Sequence, residues 1–346
     1  MSFILAMRGN VEKTYIQTSK STFIYYIYIT MQISLLNQKA GECSDCLVFG
    51  LAPLNKTLPH STHLDEWLRR GFNADMNWMA NTAQTRKIPA NFNGKSYNAA
   101  WVALWKYPRP LQKKHEAIAA YAHGKDYHIS IGSILHEWAA EVQGQAFIDS
   151  LPVAERELAV LAGLGFIGRN TMLINAKFGS GFFIGGILLN MDVRALPATP
   201  MHPQNACAKC RRCIDACPSK AITEDGFLDS RRCASYLTIE HRGEFSEEQK
   251  GWVKGSIFGC DICQRVCPYN AQHLAETEPY FLPDENFTKG KIKATPLWRA
   301  GTKNLKRNYI AARQAAVCLP PAFCNTLATS GKVEPAPIAS AQSIGV

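Results

Sequence analysis

Eight of the chain's twelve cysteines fall between Cys207 and Cys267, and their spacing leaves little freedom for what that stretch can become. The first group reads Cys207-x2-Cys210-x2-Cys213-x3-Cys217-Pro218. Two-residue gaps let three thiolates converge from one tight loop onto three corners of an iron–sulfur cube, while the fourth cysteine faces a second cube. The proline after it suits the first turn of a helix, where no N–H bond is lost. The second group, Cys260-x2-Cys263-x3-Cys267-Pro268, repeats the pattern without its first cysteine, and Cys233 lies between the groups to complete eight ligands. The expected pairing is Cys207, Cys210, Cys213 and Cys267 on one [4Fe–4S] cluster, and Cys217, Cys233, Cys260 and Cys263 on the other. Structural zinc is the rival reading, because C-x2-C is also a zinc spacing. The x2-x2-x3-C-P run, which is that of bacterial ferredoxins, weighs against it.

The other four cysteines say less. Cys43 and Cys46 form a C-x-x-C that suits redox or metal chemistry and is also common by chance. Cys318 and Cys324 border a stretch from 319 to 346 rich in Pro, Ala and Ser, where disorder is expected. No export signal is visible and no apolar run reaches 18 residues, so neither a membrane span nor a disulfide framework is expected, and a reducing cytoplasm fits best. The aromatic run from Thr22 to Thr30 is too short to cross a bilayer. Met31 follows it, which opens the reading that the first thirty residues precede the true start.

Upstream of the cysteines, apolar runs alternate with polar breaks. Strands are expected over Leu47–Leu51, Asn98–Trp105, Ala146–Ile148 and Phe182–Leu189, and helices over His63–Arg70, Leu135–Val142 and Ala154–Gly163. This alternation favours an α/β or α+β domain over about 43–195. A proline-rich linker follows at 196–206, and the cluster region extends to 288. Asp149 ends the third strand, a position that either presents a catalytic acid to a crevice or caps the next helix. Gly163, Gly165 and Gly168 match the letters G-x-G-x-x-G, but a helix precedes them, so they are read as a loop where backbone approaches a large ligand. The formal net charge is +10, and Lys289, Lys291, Lys293, Arg299, Lys303, Lys306, Arg307 and Arg313 make 289–318 a basic segment. This balance suits a polyanionic partner or a solvated helix face.

Taken together, AFIDSLPVAER, AGLGFIGRNT, the two cysteine groups, RRCASYLTIEHRG and IFGCDICQRVCPYN resemble the epoxyqueuosine reductase family over residues 45–310. The resemblance implies an α/β (α+β) cobalamin-binding domain followed by a ferredoxin-like domain with two [4Fe–4S] clusters. It implies reduction of the epoxide of epoxyqueuosine at the transfer RNA wobble position to give queuosine. Asp149, in a D-S-L-P sequence where many relatives have D-S-A-P, becomes the expected proton donor. Cobalamin contacts are expected from Arg86, Tyr127, Arg169, Asn170, Ser235 and Asp261, and transfer RNA contacts from Arg231, Arg232, Lys303, Lys306 and Arg307. An unidentified low-potential electron donor and a monomeric enzyme complete the expectation. Residues 1–42 and those after about 315 fall outside the resemblance. A plain electron carrier and a reductive dehalogenase stay open as alternatives.

Overall fold

The computed structural model describes residues 20–314 apart from 55–57, 59–60, 93, 114–115, 192–205, 254 and 276–291. Cys318, Cys324, Lys289, Lys291, the side chain of Arg313, nearly all of the linker and the 319–346 stretch lie outside the described residues. The chain divides into two compact units, Met1–Glu42 and Cys43–Val346. The described part of the first is one helix, α1 (Lys20–Glu42), which runs unbroken through Met31. Among the described residues no helix is long and apolar enough to cross a membrane.

The second unit is built on a four-stranded antiparallel sheet. Its strands are β1 (Cys46–Pro53), β4 (Ala99–Lys106), β5 (Gln145–Phe147) and β8 (Phe182–Leu189), in the order β1-β4-β8-β5. Two short hairpins, β2 (Asn91–Phe92) with β3 (Lys95–Ser96) and β6 (Phe166–Ile167) with β7 (Leu173–Ile174), lie outside it. All pairings within the sheet are antiparallel, which settles the choice between α/β and α+β in favour of the latter. The apolar run of β4 is continuous because the strand is central and covered on both faces. On one face Trp101 and Trp105 meet Trp138 of α5 (Tyr127–Glu141), with ring centroids 6.0 and 5.8 Å apart. On the other, Ala100, Val102 and Leu104 join Leu158, Ala159 and Ala162 around α6 (Glu155–Leu161). Each fully buried leucine here contributes roughly 1.5–3 kcal/mol. Gly186 of β8 lies so close to the Trp101 carbonyl that no side chain would fit.

The remaining helices are short: α2 (Ser61–Arg69), α3 (Asn77–Asn81), α4 (Ala83–Lys87), α7 (Arg212–Ala216), α8 (Ala234–Ile239), α9 (Glu247–Val253), α10 (Ile262–Arg265) and, longer, α11 (Gly301–Gln314). The regions on either side of residue 196 interlock within this unit. Ile118 and Gln112 form parallel bridges to Phe258 and Ala275, and the Trp67 indole donates to the Leu228 carbonyl at 2.7 Å.

Two expectations need correction. The fourth cysteine of the first group does not open a helix: α7 stops at Ala216 and Cys217 is its C-cap, with ψ 116. The following Pro218 forces that extended backbone. The rule does hold at Cys267, where Pro268 begins a 3₁₀ turn. Gly165 and Gly168, in turn, are demanded by the β6–β7 hairpin, where an added Cβ would meet the backbone and side chain of Ile174. Their smallness serves this hairpin.

Candidate active site and cluster scaffold

Helix α5 runs directly into β5 through a turn at Val142–Gly144, so the start of the helix and the end of the strand meet at one end of the sheet. Asp149 stands there in the left-handed region, φ 49, a conformation uncommon for residues other than glycine. Three contacts hold it. Its N–H donates to Glu155 Oε1 at 2.5 Å, and the Tyr127 hydroxyl donates to its Oδ2 at 2.9 Å. His128 Nε2 lies 3.9 Å from the same oxygen. Asp149 does not cap α6, whose N-cap is Ala154 without a side-chain bond. The Asp149 side chain instead remains 56% exposed.

The first turn of α5 is fixed by its own N-cap. Asp126 Oδ1 accepts from the His128 backbone N–H at 2.9 Å and contacts His128 Nδ1 at 2.7 Å. That contact, aided by the Asp126 and Asp149 charges, holds the His128 imidazole above its ordinary pKa despite partial burial. Tyr127 stacks on Phe183 at 4.3 Å, and burial together with the Asp149 charge raises its hydroxyl well above the usual range. Burial, reinforced by the Asp149 charge, pushes the Glu155 carboxyl up to about 8. Arg86 lies near enough for both carboxylates to act on it, and it ties to Val153 O at 3.2 Å. Arg86 and Arg299 flank the half-exposed Trp78 ring, at 5.3 and 5.8 Å from its centroid. Arg299 also bonds Glu240 and feels the charge of Asp149.

The thiols lie behind this site. Cys213 and Cys267 each feel Cys207 and Cys210. Cys233 and Cys260 feel Cys217, and Cys263 feels Cys260 and Cys233 most strongly. Burial raises Cys213, Cys233, Cys263 and Cys267, and Cys260 to about 12, so these thiols stay neutral until a cationic centre draws off their protons. Among the described residues no three Cys, His, Asp or Glu side chains close on a single-ion site. Asp261, between Cys260 and Cys263, accepts from Ala120 N–H at 2.7 Å, and burial lifts it to about 6. Asp261 and Cys263 both act on Tyr107, whose ring touches Phe183 at 4.7 Å. An aromatic wall of Tyr107, Phe183, Tyr121 and Tyr127 thus joins the second group of thiols to Asp149.

The other expected site residues are dispersed. Arg169 donates to Ala208 O beside Cys207 at 3.2 Å, and Asn170 reaches Cys263 O at 3.4 Å. Ser235 sits on α8, next to Cys233 at its N-cap. Arg231 is bidentate to Asp229, and Arg232 lies over Trp252 at 5.4 Å. Lys303 and Lys306 are exposed on α11. Arg307 departs from expectation. Its guanidinium donates to the carbonyls of Leu237, His241 and Gly243 and to Asn308, over the Phe245 ring. Burial lowers it to about 10, and these donors close the end of α8 instead of facing solvent. Sequence reasoning also passed over Ser180, Gln264 and Asn270. Asn270 donates to Ser180 Oγ and to Gln264 O and accepts from Ser180 N–H, all at 2.7–2.9 Å in a buried network. No local pattern marks such a long-range triad.

Comparison with known proteins gives this arrangement its place. Residues 206–270 match the 4Fe–4S double cluster binding domain family. The epoxyqueuosine reductase of Pseudomonas aeruginosa is 34% identical over 278 residues, covering 72% of this chain and 76% of that protein. A Bacillus subtilis epoxyqueuosine reductase with its catalytic aspartate loop swung out of the active site shares the fold, with TM-score 0.68 at 21% identity over 83% of this chain and 82% of that one. So does an epoxyqueuosine reductase in complex with an epoxyqueuosine-modified tyrosine transfer RNA stem loop, with TM-score 0.67 at 20% identity over 83% and 82%. On the strength of the Pseudomonas relative, the chain belongs to the epoxyqueuosine reductase family.

Proposed function

We propose that this chain removes the epoxide oxygen of epoxyqueuosine in transfer RNA to give queuosine, with Asp149 as the acid that protonates the departing oxygen. The observation that carries the reading is Asp149 itself, held exposed in a left-handed backbone against Tyr127 and Glu155 at the end of an aromatic wall leading from the thiols.

Two four-cysteine sets would hold the clusters: Cys207, Cys210, Cys213 and Cys267, and Cys217, Cys233, Cys260 and Cys263. Their strongest mutual electrostatic influences run within these sets, with Cys213 a lesser influence on Cys263 across them. Cobalamin suits the partly exposed Tyr127–Phe183 wall, with Arg86, Arg169, Asn170, Ser235 and Asp261 as candidate polar contacts. When bound, it supplies the low-potential two-electron reducing power that carbon–oxygen cleavage requires. The protein's own part is positional and protonic. Tyr127 orients Asp149 through its 2.9 Å bond and keeps its own proton. Glu155 fixes the loop backbone. Wobble-base chemistry requires an unstacked nucleotide, so the substrate base would enter beside Asp149 with the anticodon phosphates on basic residues such as Lys303, Lys306, Arg231 and Arg232. The cytoplasm, a low-potential electron donor and a monomeric state complete the reading.

Asp149→Asn tests it. The variant is expected to load iron and cobalt normally while turnover of epoxyqueuosine transfer RNA falls at least ~10²-fold, the usual contribution of a general acid. Turnover at the normal rate would remove Asp149 from the mechanism.

A further inference from the structure

Loss of an epoxide oxygen breaks two carbon–oxygen bonds, forms one carbon–carbon double bond and releases water. The balance needs two electrons, which the family's reductive activity supplies, and two protons. One carboxyl holds only one of them. We propose that His128, held by Asp126, supplies the second proton by recharging Asp149 through Oδ2, so that Asp126, His128 and Asp149 form a relay from solvent to the substrate oxygen. This rests on the reading of Asp149 as the acid.

The geometry selects His128 among Asp149's neighbours. Tyr127 touches the same oxygen, but its proton affinity is far too high for it to give up a proton near neutrality. Glu155 faces the Asp149 backbone N–H through Oε1. His128 faces Oδ2 at 3.9 Å, and its side chain is 35% exposed, so solvent can reload it. Its Nδ1 is pinned by Asp126 at 2.7 Å, and its Nε2 lies on the Asp149 side, where the ring also engages the Asp149 backbone. A closing shift of about 1 Å brings the pair into hydrogen-bond range, as catalytic contacts commonly tighten on substrate binding. The charged groups facing His128 are Asp126 and Asp149. Behind Asp149 stand Glu155, Arg86 and Arg299. His128 must be protonated to donate, so the relay works below its pKa and fails as pH rises through it. The Asp126 contact moves that limit above the ordinary 6.5.

The test uses the reconstituted holoenzyme and epoxyqueuosine-bearing transfer RNA, with kcat and KM measured across the neutral pH range. His128→Asn preserves a donor for Asp126 and is expected to lose about 10²-fold in kcat with KM unchanged, to lose the alkaline limb, and to regain much of the rate with added imidazole. Asp126→Asn retains the N-cap and should move the alkaline limb to lower pH. Asp149→Asn should show no imidazole rescue. Wild-type kcat and pH profile in His128→Asn would overturn the relay alone. So would a pH-independent loss that imidazole does not restore, which marks a merely structural histidine. Full turnover by Asp149→Asn would instead overturn the reading beneath it.

Discussion

Asp149 occupies a backbone conformation that costs a non-glycine residue on the order of 1 kcal/mol or more, and such strain persists only where neighbours over-determine it. Here the neighbour is Glu155, whose carboxyl takes the Asp149 N–H at 2.5 Å. Removing that acceptor should let the loop relax. A lost hydrogen bond of about 1.4 kcal/mol corresponds to tenfold in the population of the aligned state. Glu155→Ala is therefore expected to lower kcat about tenfold, whereas Glu155→Gln, which keeps an acceptor, should recover most of it. Equal kcat in the alanine variant and the wild type would show that the loop holds itself. In the sequence, Asp149 at a strand end before Ser-Leu-Pro left a choice between cap and acid, and only the family resemblance turned it toward the acid. Glu155 and His128 carry no local signal, since their meaning depends on the α5 and β5 ends meeting in space.

At the scale of elements, the strands β1, β4, β5 and β8 and the helices α2 and α6 were legible because their apolar periodicity is local. The start of α5 was not: the expected helix began at Leu135, while α5 begins eight residues earlier, at Tyr127, capped by Asp126. Charge alone likewise does not say which way a guanidinium turns. Arg307 faces inward and closes α8, tying α11 to the loop at His241–Gly243. Arg307→Ala is expected to cost about 2 kcal/mol by stranding carbonyls, read as a lower Tm, and to leave transfer RNA affinity within twofold. An unchanged Tm with a large loss of affinity would restore Arg307 to the nucleic-acid surface. Lys303, exposed on the same helix, is the better candidate for a phosphate contact, and Lys303→Ala should reduce the salt dependence of binding.

At the scale of the whole molecule, the cluster region and the sheet domain share one compact unit rather than standing as separate lobes. Ser180, Gln264 and Asn270 lock them through buried hydrogen bonds, and the Tyr107–Phe183–Tyr127 wall runs from the cysteine side to Asp149. That arrangement suits a protein that must bring reducing equivalents and protons to one substrate. Net charge of +10 suits a nucleic-acid substrate, although several of the arginines serve internal ties. The most direct test is anaerobic reconstitution with iron, sulfide and cobalamin, followed by metal analysis and mass spectrometry of transfer RNA supplied with epoxyqueuosine. The account predicts about eight irons and one equivalent of cobalt per chain, with queuosine formed only in the fully loaded protein. Full iron loading with no cobalt retained and no queuosine formed would contradict it and leave an electron carrier.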